Sequence, residues 1–164
     1  MIKDDGVFPN NDKLPLIIYI GAIELSSSDP SDTIRALFQT NGWENSWVDG
    51  IYSFDHYHSN THEVLGIARG NATVLLGGPR SGITAPVGAG DVILIPAGVA
   101  HKKVESTRDF TVVGAYPKGD DFDMFYGKKE ERPRADKRIH DVSLPPNDPV
   151  YGDSGPVFEQ WLHS

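Results

Sequence analysis

Three of the six histidines of this 164-residue chain fall between positions 56 and 62, where the sequence is densest in groups that hold metals or move protons. In GIYSFDHYHSNTHEVLGIARG, residues 50–70, His56 and His58 are two apart and Glu63 follows five positions later. Residues two apart on a strand point to the same side, so the two imidazoles converge on one point. A turn through Ser59 and Asn60 brings Glu63 back from the adjacent strand. The segment GDVILIPAGVAHK, residues 90–102, reads as a strand, a turn at Pro96 and Gly98, and then His101 on a further strand. Neutral nitrogens with a carboxylate suit a divalent transition metal, and His101 supplies a fourth ligand to His56, His58 and Glu63.

Strand alternation brings in further candidates. Tyr52 and Phe54 share the face of His56 and His58, Arg69 shares that of Glu63, and Lys103 and Glu105 share that of His101. A metal-bound Glu63 is not a free base, so proton transfer is assigned to Tyr52, His62 or Glu105. Phe54, Arg69 and Lys103 are the expected substrate contacts, with Arg69 suited to clamping a carboxylate. Each has a plainer reading: an aromatic inside a small barrel fills core, and a long side chain at a strand end reaches solvent.

Short strands must carry these groups. Apolar runs punctuated by Gly, Pro and Asn predict strands at 51–57, 63–69, 72–77, 91–95, 101–105 and 110–116, a spacing that fits a sandwich or barrel. Ahead of them lie a strand at 16–24 and a helix at 32–40, with Ser31 as its cap, Ile34, Leu37 and Phe38 on one face and Gly42 as its stop. After Pro117 a single helical turn is expected at 121–126, and the charged run at 128–138 reads as a solvated arm, since Glu130, Glu131 and Asp136 interrupt its basic residues. The length corresponds to one domain over 1–164, with the barrel core at 50–116, an N-terminal strand and helix at 14–42, and an irregular C-terminal arm at 117–164.

Composition narrows the function classes. With 17 Gly and 12 Pro the chain favours turns over helical bundles. Fifteen basic against 23 acidic residues give a net charge of −8, which argues against nucleic acid or an anionic membrane as partner. The absence of Cys excludes disulfides, thiolate metal sites and cysteine nucleophiles. The apolar runs at 16–20 and 92–95 are too short to span a bilayer, and residues 1–10 lack a secretory pattern, so a cytoplasmic location is expected.

The two segments resemble the paired motifs of the cupin superfamily. In the first motif a glycine, His-x-His, an acid four residues on and a closing glycine fall at Gly50, His56, His58, Glu63 and Gly70; in the second, Gly90, Pro96, Gly98 and His101 match. The pattern tolerates a three-residue gap that lands on His62, but the four-residue gap keeps Glu63 in register. An Asn is expected where Glu105 stands, at a position that is not a ligand. VFPNN near the N-terminus, the NGW and SW pairs around Trp43 and Trp47, and DPVYGDSGP near the end are similar to single-domain bacterial cupins of the YjlB type. The resemblance implies an all-β double-stranded β-helix, or jelly roll, with one or two short peripheral helices, a metal inside one end of the barrel, and a homodimer.

Three His and one Glu leave about two of six coordination positions open for substrate, dioxygen or water, on Fe, Mn, Zn or Ni. The expected function is therefore oxygenase- or isomerase-type chemistry on a small oxygen-rich molecule. The alternative is a non-catalytic module that binds or senses a sugar or organic acid.

Overall fold

Eight strands form two antiparallel sheets in the computed structural model, which describes residues 1–162; the last two residues of the expected arm lie outside the described residues. The strands are β1 (Ile17–Tyr19), β2 (Trp43–Asp49), β3 (Glu63–Arg69), β4 (Asn71–Leu76), β5 (Ile83–Gly88), β6 (Val92–Ile95), β7 (His101–Ser106) and β8 (Thr111–Pro117). The larger sheet runs β1-β6-β3-β8-β2 and the smaller β5-β4-β7. Leu65, Ile67, Ile93 and Val112 of the larger sheet pack with Val74, Leu76, Ala85 and Val87 of the smaller. Each of the Leu, Ile and Val side chains contributes about 1.5–3 kcal/mol on full burial. The result is the all-β jelly roll that the resemblance implies.

β3 is buried on both faces, which is why it reads as an almost continuous apolar run. Its second face carries Val64 and Ala68, covered by Ile34 and Phe38 of helix α1 (Pro30–Thr40) and by Trp161. Gly66 makes this approach possible: a Cβ there would meet Ile34 Cγ2 at 2.6 Å. α1 begins two residues before the expected 32–40, because Pro30 is preorganised for a first helical turn and Asp29, rather than Ser31, accepts the Asp32 N–H.

Several elements depart from the sequence expectation. Residues 51–57 are not a strand. His56 pairs with His101, but the next bond, Lys103 N–H to the Tyr52 carbonyl, moves four residues along one chain and two along the other, so Ser53 to Asp55 bulge out. The expected strand at 16–24 shortens to β1. β2 and β5 appear where none was expected. Asn45, at φ 57°, forms an irregularity that breaks the alternation of β2, and Pro86 sits in β5, an edge strand on which a missing N–H is tolerated. Residues 121–126 form no helical turn; Phe125 instead pairs with Tyr57.

The charged arm is also more ordered than expected. It holds helix α3 (Arg134–Asp141), whose Ala135 is buried, so the peripheral helices exceed the expected one or two once the four-residue helix α2 (Gly78–Ser81) is included. Among the described residues, no helix is long and apolar enough to cross a membrane.

Candidate functional site

Glu63 opens β3 and pairs with Ile95 of β6, which places its carboxylate at one end of the barrel; His101 opens β7 at the same end. The donor atoms of His58, Glu63 and His101 lie within 4.8 Å of one another, and all three residues are buried. His56 stands beside them, its ring centroid 4.1 Å from that of His101 and 6.1 Å from that of His58.

Each imidazole is oriented through Nδ1. His56 Nδ1 meets the Phe54 carbonyl at 3.0 Å, His58 Nδ1 the Asp123 carbonyl at 2.6 Å, and His101 Nδ1 the Val99 carbonyl at 3.0 Å. A carbonyl only accepts, so Nδ1–H donates and the neutral ring keeps its lone pair on Nε2. His58 Nε2 lies 3.2 Å and His101 Nε2 3.1 Å from the two oxygens of Glu63, yet neither nitrogen makes a hydrogen bond. Lone pairs facing a buried carboxylate repel unless a cation lies among them. The donor set and its orphaned nitrogens therefore fit a divalent metal.

A shared proton can stand in for that cation, and the shifts of these groups follow the pairing. Burial alone would raise the Glu63 carboxyl, but the facing imidazoles of His58 and His101 outweigh it and hold the group well below its ordinary range. Burial would lower His58, and Glu63 reverses that. Burial, then the neighbouring His101, brings His56 down to about 3, so this ring stays neutral and able to donate its lone pair.

A second layer holds Glu63. The Tyr116 hydroxyl donates to Glu63 Oε2 at 2.5 Å, and Trp47 Nε1–H donates to the same hydroxyl at 2.8 Å. Burial, reinforced by Glu63, raises Tyr116 and keeps it a donor. Gly114 lets the indole lie against β8, since a Cβ there would be 2.2 Å from Trp47 Cζ2. Trp47 enters the sequence reading only through the SW pair of the resemblance and Tyr116 only as the end of a strand, neither as a site residue; the pairing of β8 with β2 and β3 brings them to Glu63. Phe122 stacks on Tyr116 at 4.7 Å and meets the His58 ring at 5.1 Å. The groups enclose a cavity of about 390 Å³, lined also by Leu65, Tyr52, Lys103 and Met124.

The Cupin family pattern matches residues 51–118. Over 159 residues, 97% of this chain and 93% of the relative, the sequence is 43% identical to the uncharacterized protein YjlB of Bacillus subtilis (strain 168). This chain is a cupin. Among solved structures, an acireductone dioxygenase from Bacillus anthracis, with a cadmium ion in its active center, is similar at TM-score 0.45 and 14% identity, over 68% of the cupin and 83% of that chain. The TDP-fucose-3,4-ketoisomerase WlaRA from Campylobacter jejuni is similar at TM-score 0.40 and 9% identity, over 48% of the cupin and 63% of that chain.

The remaining expected site residues separate. Tyr52 lines the cavity of the cupin at its mouth, 54% exposed, with its ring edge-on to His56 at 5.2 Å; Phe54 stacks on Tyr52 outside the lining. Lys103 lines the wall. His62 does not reach the site. It precedes Glu63 and so takes the other face of β3, where Nδ1 accepts the Ala97 N–H, Nε2 faces the Ser143 carbonyl, and the ring packs on Trp161.

Arg69 is exposed at the far end of β3, about 20 Å along the strand from Glu63, beyond a register shift. Glu105 is exposed because a bulge between its pairing to Thr73 and that of Lys103 to Val74 ends the alternation from His101. Proximity to the site thus separates Tyr52 and Lys103 from His62, Arg69 and Glu105.

Proposed function

We propose that this cupin is a metal-dependent enzyme acting on a small oxygen-bearing molecule, with His56, His58, Glu63 and His101 holding one divalent ion of Fe, Mn, Zn or Ni. The observation that carries this reading is the pair of buried Nε2 atoms, unbonded and 3.1–3.2 Å from the Glu63 carboxylate. When bound, the ion supplies a Lewis acid or, as iron, an electron relay. The chain supplies orientation: three carbonyls fix the imidazoles, while Trp47 and Tyr116 fix Glu63. Leu65, Phe122 and Met124 make the wall apolar. Tyr52, the one proton-transfer candidate on the cavity wall, gives or takes a proton at a substrate oxygen.

One observation favours a second reading. His62 and Glu105 lie outside the cavity and Tyr52 is half-exposed, which leaves few groups for acid–base work and suits a protein that binds a small acid or sugar without converting it.

Elemental analysis of protein purified without a metal-affinity tag, beside a His101→Ala control, tests the centre. About one ion per chain, lost in the control, is expected; no metal and no uptake overturns the reading. With loaded protein in air, a small molecule recovered unchanged although it raises the melting temperature favours the binding role, and turnover favours the enzyme.

A further inference from the structure

We infer that the cavity takes a small bifunctional anion, whose one end offers oxygens to the metal centre and whose second anionic group pairs with Lys103. The inference rests on the metal reading above and adds the class of ligand. Lys103 lies two residues beyond His101 on β7, and both line the cavity. Two residues of strand advance about 7 Å on the same face, a distance that the four-carbon lysine stem largely spans when it turns toward the site. The ligand's second charge therefore sits only a few bonds from its metal-binding end.

Lys103 is partly buried, and among the described residues its side chain has no ion pair, hydrogen bond or aromatic partner. A partly buried lysine stem leaves its ammonium free to pair with an anion. Among the described residues it is the only lysine or arginine on this wall. The other charges there do not satisfy it: Glu63 faces the imidazoles, and Asp49, exposed at the rim, accepts its neighbour's Gly50 N–H. On a chain of net charge −8, this puts a positive side chain within reach of the candidate metal donors. Trp47, Leu65, Phe122 and Met124 complete the wall with mostly apolar surface, which suits a short hydrocarbon body between the two polar ends. A volume of about 390 Å³ is at the small end for organic ligands. Arg69, the other cation expected to clamp an acid, is too distant to share the task.

The test uses full-length protein loaded with manganese and three probes that share a hydroxy-carboxylate end: 2-hydroxybutyrate, malate and 3-phosphoglycerate. The last two add a carboxylate and a phosphate, so their arms separate the two sources of the second charge. Calorimetric titration is expected to show malate or 3-phosphoglycerate binding at least tenfold more tightly than 2-hydroxybutyrate. That advantage falls below threefold in Lys103→Met and returns in Lys103→Arg, with metal content unchanged in both. Equal affinity for all three probes in the unaltered protein, or an advantage that survives Lys103→Met, overturns this inference alone. Protein that takes up no ion overturns the metal reading and this inference together.

Discussion

His58 and His62 are four residues apart, both nearly inaccessible to solvent, and their surroundings are opposite. Both ring nitrogens of His62 have backbone partners, Ala97 N–H and the Ser143 carbonyl. His58 has one such partner, and its second nitrogen is aimed without a hydrogen bond at a carboxylate. Burial of a histidine therefore does not mark a site by itself. The unsatisfied atom does, because a buried polar group without a partner costs about 1–3 kcal/mol and persists only where something else compensates it.

The largest effect that would break this contrast is on metal content. His101→Ala should lower metal affinity by at least about 100-fold, whereas His62→Gln should leave stoichiometric metal in elemental analysis. Loss of metal in His62→Gln would erase the distinction between the two faces of β3.

Next in size is a pH effect belonging to the His62 side. Burial pulls this imidazole down to about 4, whereas the unfolded chain takes up a proton near 6.5. As pH falls through that window the unfolded state binds the extra proton first, so stability present above pH 6.5 is lost towards pH 4, by about 3 kcal/mol. Urea unfolding should show the advantage of the unaltered protein over His62→Gln shrinking across this range; an advantage that stays constant would mean His62 is not held neutral.

Tyr116→Phe sharpens the other side. It removes the hydroxyl from Glu63 and strands the Trp47 N–H, and is expected to weaken metal binding about tenfold in competition with a chelator while the fold is retained. The smallest effect is predicted for Arg69→Gln and Glu105→Gln, both exposed: a stability change within about 0.5 kcal/mol and unchanged metal content.

The candidate metal donors were legible in the sequence because each sits in a short motif: β3 spans the expected 63–69, and Glu63 and His101 open the strands assigned to them. The same alternation that turns Glu63 to the cavity turns His62 to the opposite, buried face of β3, so the pattern itself separates the two. Arg69 and Glu105 were misplaced because irregularities in β3 and β7 interrupt the period of two, and a bulge leaves little trace in composition. Trp47 and Tyr116 were hidden for another reason. Their relation to Glu63 exists only through pairing across 53 to 69 residues of chain, which no local period encodes.

The carbonyl that orients His58 belongs to Asp123, six residues after β8 ends, and Asp123 also accepts the Ser59 N–H and the Ser59 hydroxyl. During synthesis the barrel strands have all emerged once Pro117 leaves the ribosome, but the grip on one of the candidate ligand rings arrives later. A nascent chain halted there carries the full set of candidate donor side chains without the clamp that aims His58, so on the proposed metal reading tight loading would follow the arrival of the C-terminal arm and report on its docking.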